Sequence, residues 1–148
     1  MAITGARLRE IATAFRNTME QADRHGWGAG FDKFPAGTCG VVSELLGRYL
    51  EEYHGVPAMY VCGTRRVDKR ESHAWLICAG FIVEITADQF GQPPVIVERA
   101  SPWHETWRAD DNPRLAVTPA RGNWPDYLDV AWGEITAALP PKRPVRPS

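Results

Sequence analysis

The amino-acid sequence predicts an α+β domain: N-terminal helices packed on an antiparallel β-sheet, with a cysteine at the start of the second helix. Three observations carry this. Apolar residues recur at steps of three and four over 6–24 and again over 38–53, the spacing of one buried helix face. The pattern then changes to short apolar runs of strand length at 56–62, 73–78 and 81–86. The last two runs are separated only by Ala79-Gly80, a turn signal that makes them an antiparallel hairpin.

The first helix, over 6–24, places Leu8, Ile11, Ala12, Phe15, Met19 and Ala22 on one face, with Thr4 as N-cap and Gly26 as stop. Residues 25–37 form a loop carrying Trp27, Phe31 and Phe34, an aromatic content that predicts folding against the body. Its place just before Cys39 makes it an expected wall of a cleft. The second helix runs from about Thr38 to about Tyr53 and stops at Gly55. Gly47 in its middle costs about 1 kcal/mol relative to alanine, which predicts close packing against a neighbour. The connection holding Arg65, Arg66, Lys69 and Arg70, with Asp68 and Glu71, reads as a solvated loop tip, with acidic-substrate binding as the lesser reading. Past Phe90, residues 95–97 suit an edge strand after Pro93-Pro94. Residues 101–114 read as a loop, and 115–118 as one more short strand. Trp124-Pro125-Asp126 opens a last helix to about Leu139, with Tyr127, Leu128, Ala131, Trp132 and Ile135 on one face. Residues 1–139 thus make a single domain, and 140–148 a Pro-rich basic tail expected to be disordered.

With 148 residues, a charged fraction of 24% and a hydrophobic fraction of 44%, the chain suits one globular domain with a real core. A formal net charge of -1 gives no global attraction to nucleic acid or anionic membrane. No apolar run approaches the ~20 residues that span a bilayer, and residues 1–10 show no signal-peptide pattern. The expectation is a cytoplasmic protein without nucleic-acid or membrane partners.

Cys39, Cys62 and Cys78 are odd in number and form neither a paired disulfide framework nor a CxxC metal pattern. Cys62 and Cys78 lie within apolar runs and read as buried small hydrophobes. Cys39 differs. A helix's first turn offers unsatisfied N–H groups and a positive dipole end, both of which favour a thiolate. Gly37 and Gly40 leave room for a substrate carbonyl, so the N–H of Cys39 or Gly40 could stabilise an oxyanion. His73, at a strand start, suits a base that takes the thiol proton and returns it to a leaving amine, although an exposed histidine there is the bland alternative. With Ala79-Gly80 as a two-residue loop, Cys78 pairs with Phe81 and Ile77 with Ile82. His73, Trp75, Ile77, Ile82, Glu84 and Thr86 then share one face. Glu84, a carboxylate in an apolar run, lies diagonal to His73 within reach of a long side chain, and orienting the imidazole explains it. Asp88 has the same parity but lies beyond the paired region, and stands as the alternative acid. Phe34, Gly40, Trp75, Gln89 and Trp103 are candidates for the substrate cleft, although Trp75 could equally fill core and Gln89 belong to a turn. His104 is expected to overhang the same cleft, and Ser43, one turn after Cys39, could hydrogen-bond near the site but reads rather as a helix-surface serine. His25, His54 and His104 have no metal spacing, so neither metal nor cofactor is expected.

Taken together, 34–46, 72–78 and 80–90 resemble the papain-like, transglutaminase-like superfamily of cysteine enzymes. In that superfamily a helix begins at the nucleophilic cysteine, and histidine and aspartate lie on adjacent antiparallel strands. His73-Ala74-Trp75 is similar to the histidine motif of microbial transglutaminase-like proteins, and Gly80-Phe81-Ile82-Val83-Glu84-Ile85 to the acid-bearing strand. The resemblance implies a transglutaminase-like domain with Cys39, His73 and Glu84 as catalytic triad. Glutamate replaces the usual aspartate, which keeps Asp88 in contention. No residue before Cys39 matches the side-chain oxyanion donor of papain-type peptidases; Asp32 and Lys33 stand there, which leaves backbone N–H groups or a donor from elsewhere. The implied activity is acyl transfer through a Cys39 thioester, hydrolysing an amide or isopeptide-type bond of a peptide, protein or small amide. The alternatives are a transglutaminase or acyltransferase with an amine acceptor, and a catalytically inactive binding module on the same fold.

Overall fold

A computed structural model of the chain describes residues 2–67 and 70–140. It is an α+β structure with three helices, α1 (Gly5–Gln21), α2 (Cys39–His54) and α3 (Asp129–Ala138). The strands are β1 (Met59–Arg65), β2 (Ser72–Cys78), β3 (Phe81–Glu84), β4 (Ile96–Glu98), β5 (Trp107–Ala109) and β6 (Arg114–Leu115). All pairs are antiparallel, in the order β4-β3-β2-β1-β5, with β6 also on β1. Leu76, Cys78, Val83 and Ile85 join the apolar faces of all three helices in the main core. The alternate residues of the sheet build a second, aromatic cluster of Val61, Trp75 and Trp107, flanked by Ile82, Phe90 and Trp103. No helix among the described residues is long and apolar enough to cross a membrane.

The hairpin register agrees with the two-residue turn: Cys78 opposes Phe81, Ile77 opposes Ile82 and Leu76 opposes Val83. Ala79 and Gly80 both take positive φ, 50° and 82°, as a type I′ turn requires. Gly47 is packed as its position suggests, for a Cβ there would lie 2.5 Å from that of Ala116.

Several boundaries differ from expectation. α1 ends at Gln21 rather than at residue 24, because Arg24 folds back and donates from Nη1 to the Met19 and Glu20 carbonyls. β1 starts three residues later than the apolar run at 56–62. Gly55 (φ 67°) and Val56 instead close α2, their N–H groups donating to the carbonyls of Glu51 and Leu50. The expected loop at 101–114 contains a 3₁₀ turn, His104–Thr106, followed by β5, which pairs with Gly63–Arg65. The strand expected at 115–118 is only the two-residue β6. Before α3 the chain makes a 3₁₀ turn, Asp126–Leu128, that leaves Tyr127 exposed, off the apolar face assigned to it. Residues 68 and 69 of the basic connection and 141–148 of the tail lie outside the described residues.

Candidate active site

Cys39 is the first residue of α2 and is half-buried. Thr38 precedes it, but its hydroxyl donates to the Pro35 carbonyl at 3.0 Å instead of capping the helix. Among the described residues no side chain therefore occupies the first N–H groups of α2, which remain available to a charge at the sulfur. Burial works against a thiolate. The His73 ring, through a hydrogen bond and its charge, and the N–H groups of Ala74 and Gly40 outweigh it, so Cys39 titrates below an ordinary thiol.

His73 is wholly buried, not exposed at a strand start. Four aromatic rings surround it: Trp75, Phe90, Trp103 and Trp107, with centroids 5.1–5.8 Å away. Its Nε2 is bonded to Glu84 Oε1. Nδ1, the nitrogen left for Cys39, makes no close hydrogen bond, so the interaction between ring and sulfur is longer than the bond to Glu84. Burial alone would hold the imidazole neutral, but the Cys39 and Glu84 interactions raise its pKa to about 9. Cys39 is lowered and His73 raised, the two directions that favour a thiolate–imidazolium pair.

Glu84 is buried and spends both oxygens on histidines: Oε1 on His73 Nε2 and Oε2 on His104 Nε2. Asp88 lies elsewhere, accepting from Arg16 Nη1 and Nη2 at 2.7 Å each. Of the two candidate acids, Glu84 is the one at the imidazole.

His104 is the site residue that sequence spacing did not reveal. It does not overhang a cleft; it is buried behind Glu84. The Ser101 hydroxyl donates to its Nδ1 at 2.6 Å and accepts from its backbone N–H at 3.3 Å. The Glu84 carboxylate accepts from Nε2–H, which leaves Nδ1 to take the Ser101 hydroxyl proton. The only sequence signal was a histidine between two tryptophans in a segment that reads as loop. The ligand atoms of His73, Glu84 and His104 all lie within 4.8 Å of one another, a donor set able to hold a metal ion. Each imidazole Nε2 is already bonded to its own carboxylate oxygen, so a metal would have to open both bonds.

The cleft candidates divide. Trp103 is partly exposed and touches His73, and it also lines an apolar hollow of about 400 Å³ with Arg65, Arg66, Val67 and Thr106. Gly40 sits in the first turn of α2, beside the Tyr60 hydroxyl. Trp75 is buried in the aromatic cluster. Phe34 is a core residue beneath the Arg16 and Arg24 guanidinium groups, not a cleft wall; Trp27 and Phe31 of the same loop are buried with it. Gln89 is committed to the scaffold: its Oε1 accepts from Gly37 N at 3.2 Å and its Nε2 donates to the Thr86 carbonyl at 3.0 Å. Ser43 is buried rather than on the helix surface, and donates to the Ala74 carbonyl at 3.4 Å, tying α2 to the strand that carries His73. The other thiols are not activated: burial raises Cys62 and pushes Cys78 up to about 12. A hollow of about 520 Å³ beside Arg7, Glu10, Tyr49, Tyr53 and His54 contains none of the triad candidates. Comparison with known protein families, curated proteins and solved structures finds no significant match to this chain.

Proposed function

We propose that the protein is a cysteine-dependent acyl-transfer enzyme of the papain-like, transglutaminase-like kind, acting on an amide or isopeptide-type bond. The observation that carries this reading is the placing of Cys39, at an uncapped helix start, beside a buried His73 whose other ring nitrogen is bonded to Glu84. The Cys39 thiolate attacks the carbonyl carbon, and the new C–S bond moves an electron pair onto oxygen. The pair returns as the C–N bond breaks, and the His73 imidazolium gives its proton to the departing amine. The neutral ring then takes a proton from water, whose oxygen attacks the thioester. The C–S bond breaks, the acid leaves, and the thiolate–imidazolium pair is restored. An amine in place of water makes the same step a transamidation. Unpaired thiols on all three cysteines suit a reducing compartment, and we place the protein in the cytoplasm.

Iodoacetamide alkylation of Cys39 against pH tests the activated pair. Alkylation needs only the thiolate, so its rate should rise with an apparent pKa below the ~8.5 of a free thiol. His73→Ala should move that pKa upward, because burial is then opposed only by backbone N–H groups. Acylation by an amide substrate also needs the imidazolium. Its rate should rise through the Cys39 value and fall again as His73 deprotonates near about 9. A Cys39 that titrates like a free thiol, unchanged by His73→Ala, refutes the proposal.

A further inference from the structure

We infer that the Tyr60 hydroxyl is the side-chain oxyanion donor of this site, acting with the uncapped N–H groups at the start of α2. The inference rests on the acyl-transfer reading and supplies the group missing from the residues before Cys39. Tyr60 lies on β1, opposite Leu76 of β2 and Arg114 of β6. Its side chain crosses to the first turn of α2, where a Cβ on Gly40 would stand only 3.1 Å from the phenolic oxygen. A larger residue at 40 would crowd that oxygen; glycine keeps the approach to the hydroxyl and the helix start open. The ring is held in place from behind. The Arg114 guanidinium lies 4.4 Å from its centroid and is itself fixed by donating to Glu44 Oε1 at 3.0 Å. The hydroxyl makes no hydrogen bond to another described residue, so its proton is free to be donated. That proton also stays on: burial, with the acidic groups of Cys62, Glu44 and Cys39 nearby, pushes the phenol up to about 12 despite Arg114. A preorganised neutral donor beside the nucleophile is what a tetrahedral oxyanion requires.

Two probes separate this role from thiol activation. Iodoacetamide alkylation passes through no carbonyl oxyanion, whereas acylation by p-nitrophenyl acetate does. Tyr60→Phe removes one oxygen that holds no structural bond. It should leave the alkylation rate and its pH midpoint within about twofold of wild type, while Cys39 acylation, followed by p-nitrophenolate release and mass spectrometry, slows by about 10²-fold. Equal acylation by Tyr60→Phe and wild type overturns the assignment. So does an equal loss in both reactions, which would place Tyr60 behind the thiolate instead of at the oxyanion. If wild-type Cys39 titrates as an activated thiol but is not acylated at all, the acyl-transfer reading itself fails and takes this inference with it.

Discussion

Glu84 serves two imidazoles, and this accounts for a glutamate where the resembling strand carries aspartate. Its side chain leaves β3 and places one oxygen on His73 and the other on His104, both inside the protein. Aspartate, one methylene shorter, reaches one ring but not both. Glutamine fails differently: both Nε2 atoms present N–H toward the side chain, so an amide NH₂ would meet a donor. One histidine must then change tautomer, and His104 is held by Ser101. His73 is the one free to change, and with its proton on Nδ1 it can no longer take one from the thiol. Glu84→Gln should therefore lower Cys39 acylation by about 10²–10⁴-fold and raise the alkylation pKa. Glu84→Asp should retain more activity than Glu84→Gln. Measured acylation rates and alkylation profiles of the two variants check the order; equal activity in Glu84→Gln and wild type would remove Glu84 from the chemistry.

The elements place these residues by local rules that are readable in sequence to different depths. Cys39, His73 and Glu84 are legible because short-range geometry sets them: a Pro-Gly segment entering a helix, and a two-residue turn whose period-2 pairing leaves no choice of face. His104 is not legible, because β5 reaches its place only by pairing with β1 some forty residues away in sequence, a non-local contact without periodicity. The late start of β1 has a similar cause: Val56 reads as strand but is spent on closing α2. Gly47 is the clearest helix-level inference, and it yields a test. Alanine at 47 gains about 1 kcal/mol of helix propensity but drives its Cβ to 2.5 Å from that of Ala116, which is fixed to backbone and cannot swing aside. Overpacking costs about 1–3 kcal/mol, so Gly47→Ala should lower stability despite the better helix former. Urea unfolding should show its midpoint falling, and Ala116→Gly in the same chain should restore part of the loss.

At the scale of the whole molecule, the stretch after Glu84 is where three remote segments are tied together. Arg16 of α1 donates to the Ile85 carbonyl at 2.6 Å and to both oxygens of Asp88, while Glu20 accepts from its Nε at 2.6 Å. Next to Asp88, Gln89 accepts from Gly37 in the loop that delivers Cys39. Helix α1, the acid strand and the nucleophile's loop are thereby held in one frame, although α1 contributes no atom to the chemistry. This gives Asp88 a structural role distinct from that of Glu84, and the two can be separated. Asp88→Asn leaves the buried Arg16 with a weakened partner and should cost about 1–3 kcal/mol, less than a fully buried pair because Asp88 is partly exposed. The urea midpoint should fall accordingly. Assayed well below that transition, the variant should keep the wild-type alkylation pKa of Cys39, since the His73–Glu84 bond is untouched. A Cys39 pKa that rises in Asp88→Asn as far as in Glu84→Gln would show that the two carboxylates act on the imidazole together, and that the Arg16 clasp belongs to the catalytic apparatus.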